Sequence, residues 1–455
     1  NSPDLSPIEQ IWGIAKCFLI QRFGMRTPLA NDQLEDAEPT YCIRNFRIAA
    51  GEEKGERKGV VFQDTDLYKW LESVAYTIAG GRGGNLEALA DEVIDLIGKA
   101  QEPDGYLNTY FSINAPTKKW TNLVEGHELY TAGHMIEAAV AYYQATGKEK
   151  FLNIARKNAD LICRVFGTGE GQKRGYPGHQ EIELALVKLY RVTGERAYLH
   201  QAEYFIRERG RNPNYLAGEN DDQQLKEACQ RIWNNMTDRR MYITGGIGSS
   251  GFRERFTTDY DLPNSTNYSE TCASIGVMMF GQRMAAITGD ASYYDYVEKA
   301  LYNTVIAGIN IAGDRYFYVN PLEVVPEFCT EHTYMEHVKP VRQKWFGVAC
   351  CPPNVGRTLA SLGQYIYARN DEAVYINQFI SSTADTEVQE SRMKIKMDST
   401  LLQDGKVQLE VQSSGPGNLN IRIPWYSEKC ECIQNGISIE IQPEKGYQKL
   451  SLSPG

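Results

Sequence analysis

Three segments of this 455-residue chain repeat one phrase. They are "AYYQATGKEKFLNIA" (141–155), "KLYRVTGERAYLHQA" (188–202) and "RMAAITGDASYYDYV" (283–297). In each, an apolar helix runs into Thr-Gly, and a second, aromatic-bearing helix starts about four residues later. Gly147, Gly194 and Gly289 stand where a helix end calls for left-handed backbone, which glycine adopts without penalty. The first two repeats lie 47 residues apart, and the third follows after 95, close to twice that period. Such a period marks stacked helical hairpins. Residues 66–101 read as one more hairpin without the phrase. Hairpins of this kind close into a ring, so an α/α toroid is expected, its inner helices starting near a central cleft. The doubled spacing leaves room for a half-hairpin between Arg209 and the helix around 224–236, where only a short polar loop stands.

After about residue 370 the pattern changes. "AVYINQFI", "GKVQLEVQSS", "LNIRIPWY", "ISIEIQP" and "YQKLSLS" alternate apolar and polar residues between Gly, Pro and Asn turns. That is the period of strands with one buried face. The expectation is a mainly α chain with a β domain: a helical catalytic domain over 1–370, then a β-sandwich over 371–455. The extreme N-terminus is free to pack on the β domain, and the pattern stops at Gly455 before a sheet need be complete.

A net charge of −10 argues against nucleic acid or an anionic membrane as partner. No run of 18 uncharged apolar residues and no basic-then-apolar leader is present, so a cytoplasmic protein is expected. Ten cysteines are too few for a disulfide scaffold in a chain this long, and buried free thiols in a reducing compartment are the simple reading. The 28 tyrosines suit a site that stacks on sugar or base rings, though cores and interfaces also use them.

"FGVACCPPN" (346–354) sets Cys350 beside Cys351. Neighbouring Cα atoms sit about 3.8 Å apart, short of the roughly 4.4–6.8 Å that an unstrained disulfide spans. The prolines behind them disfavour helical backbone, so a stiff non-helical segment is expected, presenting both thiols to a metal or as a reactive thiolate. A second cluster lies in "DYDLPNSTNYSETCASIGVMMFGQRMA" (259–285), with Glu270 and Cys272 at the mouth of an apolar helix and Ser269 or Thr271 as cap. A helix N-terminus favours a thiolate. Glu270, Cys272, Cys350 and Cys351 would suit tetrahedral Zn²⁺. Equally, Cys272 could be core packing and Glu270 a first-turn charge, since this is no zinc-finger spacing.

Of six histidines, His127 and His134 flank a helix start in "EGHELYTAGHMIEA", and His179 opens another in "YPGHQEIELAL". His127 and His179 precede successive repeats at matching points, which a toroid would bring to one end; capping or packing is the alternative for each. His332 and His337 are expected on a loop, at the surface or just outside a site. Glu254 lies on a Gly-rich loop between Arg253 and Arg255, either a general acid/base or a solvated charge.

"MYITGGIGS…ERFTTDYDLPNSTNYSETCASIG", "ALYNTVIAG…YFYVNPLE" and "HVKPVRQKWFGVACCPPN" together resemble glycoside hydrolase family 127, the bacterial β-L-arabinofuranosidases. The resemblance covers nearly the whole chain. It implies a six-hairpin α/α barrel with β-sandwich domains, zinc on Glu270, Cys272, Cys350 and Cys351, Cys350 also as nucleophile, and Glu254 as acid/base. It further implies sugar contacts from His127, His179, Glu298 and Tyr318, and an arabinofuranoside or arabinose oligosaccharide as substrate. A histidine-bearing segment expected between about 215 and 222 is missing. Three other readings are kept: an inverting pair of Glu254 and Glu270 with structural zinc, a sugar epimerase or lyase using His127 and His179, and a non-catalytic carbohydrate-binding protein. A homodimer through the β domain is compatible with the sequence.

Overall fold

The computed structural model describes residues 41–209, 222–313, 315–330, 333, 335–344, 346, 350–388 and 390–455. They divide into two compact units.

The first unit is the described part of Lys16–Leu225 together with Lys344–Ala360. It holds α1 (Cys42–Ala49), α2 (Asp64–Ala79), α3 (Leu86–Ala100), α4 (Thr109–Asn114), α5 (Glu128–Thr146), α6 (Lys150–Val165), α7 (Ile182–Thr193), α8 (Arg196–Arg209) and the helix Cys351–Ala360. Helices α2, α5 and α7 pack side by side, while α3, α6 and α8 follow one another behind them. Burial separates the two rows. Thirteen of the sixteen α2 residues and fourteen of the nineteen α5 residues are buried, so these are inner helices. In α6 the buried residues Phe151, Leu152, Ala155, Asn158, Ala159 and Ile162 recur at helical spacing, leaving the opposite face to solvent. Gly147 and Gly194 end α5 and α7 with φ of 72° and 73°, as the repeated phrase requires.

The second unit, Lys226–Gln343 with Ser361–Gly455, contains most of α9 (Asp222–Arg239), then α10 (Thr271–Thr288) and α11 (Ser292–Ala300), which runs on into a π-helical turn over Leu301–Ile306. Gly289 closes α10 at φ 68°. Among the described residues nine strands follow: β1 (Tyr367–Arg369), β2 (Ala373–Ile376), β3 (Ser382–Val388), β4 (Ser391–Thr400), β5 (Lys406–Ser413), β6 (Gly417–Arg422), β7 (Cys432–Gln434), β8 (Ile437–Ile439) and β9 (Tyr447–Leu452). They form a sheet ordered β1-β2-β6-β9, a β3-β4-β5 sheet and a β7-β8 pair. Strand β4, "SRMKIKMDST", buries every second residue. The chain is thus mainly helical with a C-terminal β region.

Two local expectations are corrected. The segment after Cys350 is helical from Cys351, because Pro352 and Pro353 occupy the first turn, where a helix needs no N–H partner. Neither Ser269 nor Thr271 caps α10. Glu270 holds the N-cap position but its side chain does not cap the helix, the Ser269 hydroxyl accepts from Asn267, and the Thr271 hydroxyl donates to the Phe317 carbonyl at 3.0 Å. Backbone pairing explains this: Thr271 N–H donates to Tyr318 and Asn320 N–H to Ser269, anchoring the helix start as a strand would be.

Candidate active site and metal centre

Cys350 precedes the Cys351–Ala360 helix, and its Sγ lies 3.9 Å from that of Cys351. Cys351 is fully buried and Cys350 half-buried. Arg357, two turns along this helix, is buried and paired with Glu72 of α2 (2.9 Å) and Glu137 of α5 (3.0 Å), while its Nε donates to Asn354 at 2.6 Å. Asn354 N–H in turn donates to the Cys350 carbonyl. Ion pairs to two inner helices therefore fix the start of the cysteine-bearing helix.

Glu270 and Cys272 sit at the start of α10, Glu270 buried and bridged to Val319. Glu270 and Cys272 in the second unit, and Cys350 and Cys351 in the first, each offer a buried to half-buried metal-ligand atom.

His127 and His179 stack with ring centroids 4.7 Å apart. His127 occupies the N-cap position of α5 in left-handed backbone (φ 52°), its Nδ1 lies 2.8 Å from the Glu125 carbonyl, and its ring meets Phe62 at 4.9 Å. His134 is instead a core residue. Burial holds its imidazole well below the ordinary range, and its Nδ1 lies 3.0 Å from Glu181. His134, Glu137 and Glu181 also cluster within 4.8 Å, but Arg357 and Lys188 already pair Glu137.

Residues that sequence reasoning missed stand beside these. Asp66 of α2 is buried and accepts from Gln63 at 2.7 Å; burial pushes its carboxyl well up, Lys69 opposes this, and the charge of Cys350 adds to it. Tyr130 accepts from Lys69 Nζ at 3.1 Å and lies under His179 at 5.7 Å. The signal was available in "FQDTDLYKW", a run of charges on a helix with no solvent face.

Glu254 is exposed, on a hairpin closed by two backbone hydrogen bonds between Ser250 and Arg255. Tyr268 donates its hydroxyl to Glu254 Oε1 at 3.0 Å. Tyr318 is buried with its ring 6.3 Å from that of Tyr268, and His337 is half-buried 5.3 Å away on another side. Glu298 is ion-paired with Arg422, which also binds Asp295. His332 and the segment near 215–222 lie outside the described residues, apart from the first residue of α9.

Residues 21–219 and 211–364 match the family model of the GH127 β-L-arabinofuranosidase catalytic domain, and 373–453 match its middle domain. The two catalytic-domain matches meet at 211–219, beside the place where a segment was expected to be missing. A Bifidobacterium longum subsp. longum protein named a non-reducing end β-L-arabinofuranosidase is 38% identical over 491 aligned positions, covering 94% of this chain and 74% of its own. Among solved structures, a GH127 β-L-arabinofuranosidase from Geobacillus stearothermophilus T6 superposes with a TM-score of 0.91 at 44% identity, over 97% of this chain and 78% of its own. Another GH127 β-arabinofuranosidase superposes with a TM-score of 0.85 at 31% identity, over 99% of this chain and 77% of its own. Family-model matches along most of the chain, together with these relatives, place the protein among the glycoside hydrolases, as a member of family 127.

Proposed function

We propose that this chain is a retaining, exo-acting β-L-arabinofuranosidase that releases L-arabinose with Cys350 as nucleophile and Glu254 as acid/base. The observation that carries this reading is the pair of sulfurs, Cys350 and Cys351, 3.9 Å apart at the start of one helix, to which the family adds Glu270 and Cys272 as ligands. Zinc is the ion the family implies, and the donor set suits it. The 3.9 Å between the Cys350 and Cys351 sulfurs is close to the edge of a tetrahedron with Zn–S bonds of about 2.3 Å, which is about 3.8 Å. Bound there, Zn²⁺ would keep Cys350 as a thiolate at neutral pH.

Cys350 Sγ attacks the anomeric carbon while Glu254 gives its proton to the departing glycosidic oxygen, leaving an S-glycosyl enzyme. Glu254, now a carboxylate, takes a proton from water as the water oxygen displaces sulfur from the same carbon. Two inversions give net retention. The stacked imidazoles of His127 and His179 and the buried Tyr318 are read as sugar contacts, as is Glu298, whose carboxylate Arg422 orients. Inner and outer rows of helices support an (α/α)6 toroid over 1–370, and separate sheets support a β-sandwich over 371–455. Among the described residues every cysteine is free and no helix is long and apolar enough to cross a membrane; the free thiols favour a reducing, cytoplasmic setting.

The test is hydrolysis of 4-nitrophenyl β-L-arabinofuranoside followed by NMR. The β-anomer of arabinose should appear first, and Cys350→Ser should lower kcat at least a thousandfold. First appearance of the α-anomer, or a near-normal rate in Cys350→Ser, overturns the reading.

A further inference from the structure

The loop that carries Glu254 offers little to hold its side chain still. Arg253 and Glu254 both adopt left-handed backbone, with φ of 56° and 48°, in a tight turn outside any helix or strand. A general acid must nevertheless meet one oxygen of the substrate within hydrogen-bond reach.

What steadies it is Tyr268. This residue is 9% exposed, and its backbone N–H donates to the Gly248 carbonyl at 3.1 Å. Its ring packs against His337 and Tyr318, and against Gly251 of the Glu254 hairpin so closely that a Cβ there would come within 3.0 Å of it. Its hydroxyl reaches Glu254 Oε1 at 3.0 Å. The direction of that bond carries chemistry. An oxygen already accepting the Tyr268 hydroxyl is the poorer place for the carboxyl proton, so the proton of the acid form belongs on Oε2.

We infer that Tyr268 is a positioning residue that pins Glu254 Oε1 and thereby assigns proton transfer to Oε2. Resting on the acid/base role proposed above for Glu254, the step balances on that oxygen. Oε2 loses its proton to the glycosidic oxygen as the C–O bond breaks, and regains one from the attacking water as the C–S bond breaks. Tyr268 keeps its own proton throughout.

Tyr268→Phe keeps the ring and its packing and removes only the hydroxyl. The readout is kcat/KM on two substrates, 4-nitrophenyl β-L-arabinofuranoside, whose leaving group needs little protonation, and methyl β-L-arabinofuranoside, whose leaving group needs it fully. The expected result is a loss of about tenfold or more on the methyl glycoside with less than about threefold on the nitrophenyl one, a part of the 10²–10⁴ that general acid catalysis supplies. Equal losses on both substrates, or no loss on either, overturn the inference. Glu254→Gln is the control that separates the two levels of the argument. It should show the same selectivity more strongly, and a Glu254→Gln enzyme without that selectivity would overturn the acid/base reading itself.

Discussion

Glu128 shows how far burial alone can move a residue. It opens α5 next to His127, accepts from the Tyr106 hydroxyl and from Trp120 N–H, and burial pushes its carboxyl up to about 7. The folded value lies above the unfolded one of about 4.5, so the protonated form is the one folding favours. Its contribution to stability is therefore full below about pH 4.5 and is lost as pH rises through 7, a swing of about 3 kcal/mol. Urea unfolding of Glu128→Gln should show a flatter stability profile than the parent between pH 4.5 and 7.5. Parallel profiles would contradict the assignment. The same contrast between type and environment divides the histidines. His127 and His179 were legible because they recur before successive repeats, whereas nothing in "TAGHMIEA" says that His134 faces Glu181 inside the core.

For the helices, the Thr-Gly phrase was a reliable guide because it encodes a local requirement, a left-handed residue at a helix end, that any tertiary setting must respect. The Cys351–Ala360 helix went unseen for the opposite reason. A proline pair reads as a helix breaker unless it falls in the first turn, and where the turn begins is decided by what the helix packs on. That packing centres on Arg357, buried between Glu72 and Glu137. Arg357→Met should cost about 3–5 kcal/mol in urea unfolding, because buried Glu72 loses its cation and Glu137 is left with Lys188 alone. Adding Glu72→Gln to Arg357→Met should recover part of that loss, and a cost below about 1 kcal/mol in the single variant would show that the pair carries no such load. The strands divide similarly. Strands β2, β5, β8 and β9 fall within the runs that alternate visibly and β6 overlaps one, whereas β3, "STADTEV", is too polar to announce itself and takes its place by pairing along β4.

At the scale of the molecule the proposed metal would tie together stretches of chain some 80 residues apart, 270–272 and 350–351. Closing so long a loop removes unfolded-state freedom, and metal binding energy becomes folding energy. Metal analysis should find about one zinc per chain, and stripping it with a chelator should abolish hydrolysis and lower the Tm, with zinc restoring both. Full activity in metal-free protein would refute the assignment. The sequence by itself determined the family, the helical hairpins with their glycine ends and the β texture of the C-terminal part, because these rest on residue type and period, which a linear string displays. Only the tertiary structure decided that Tyr268 grips Glu254, that Asp66 and Tyr130 lie near Cys350, and that Arg357 anchors the cysteine helix. Those are contacts between residues 14 to 285 positions apart, and burial, which sets their strength, exists only once the chain has closed around them.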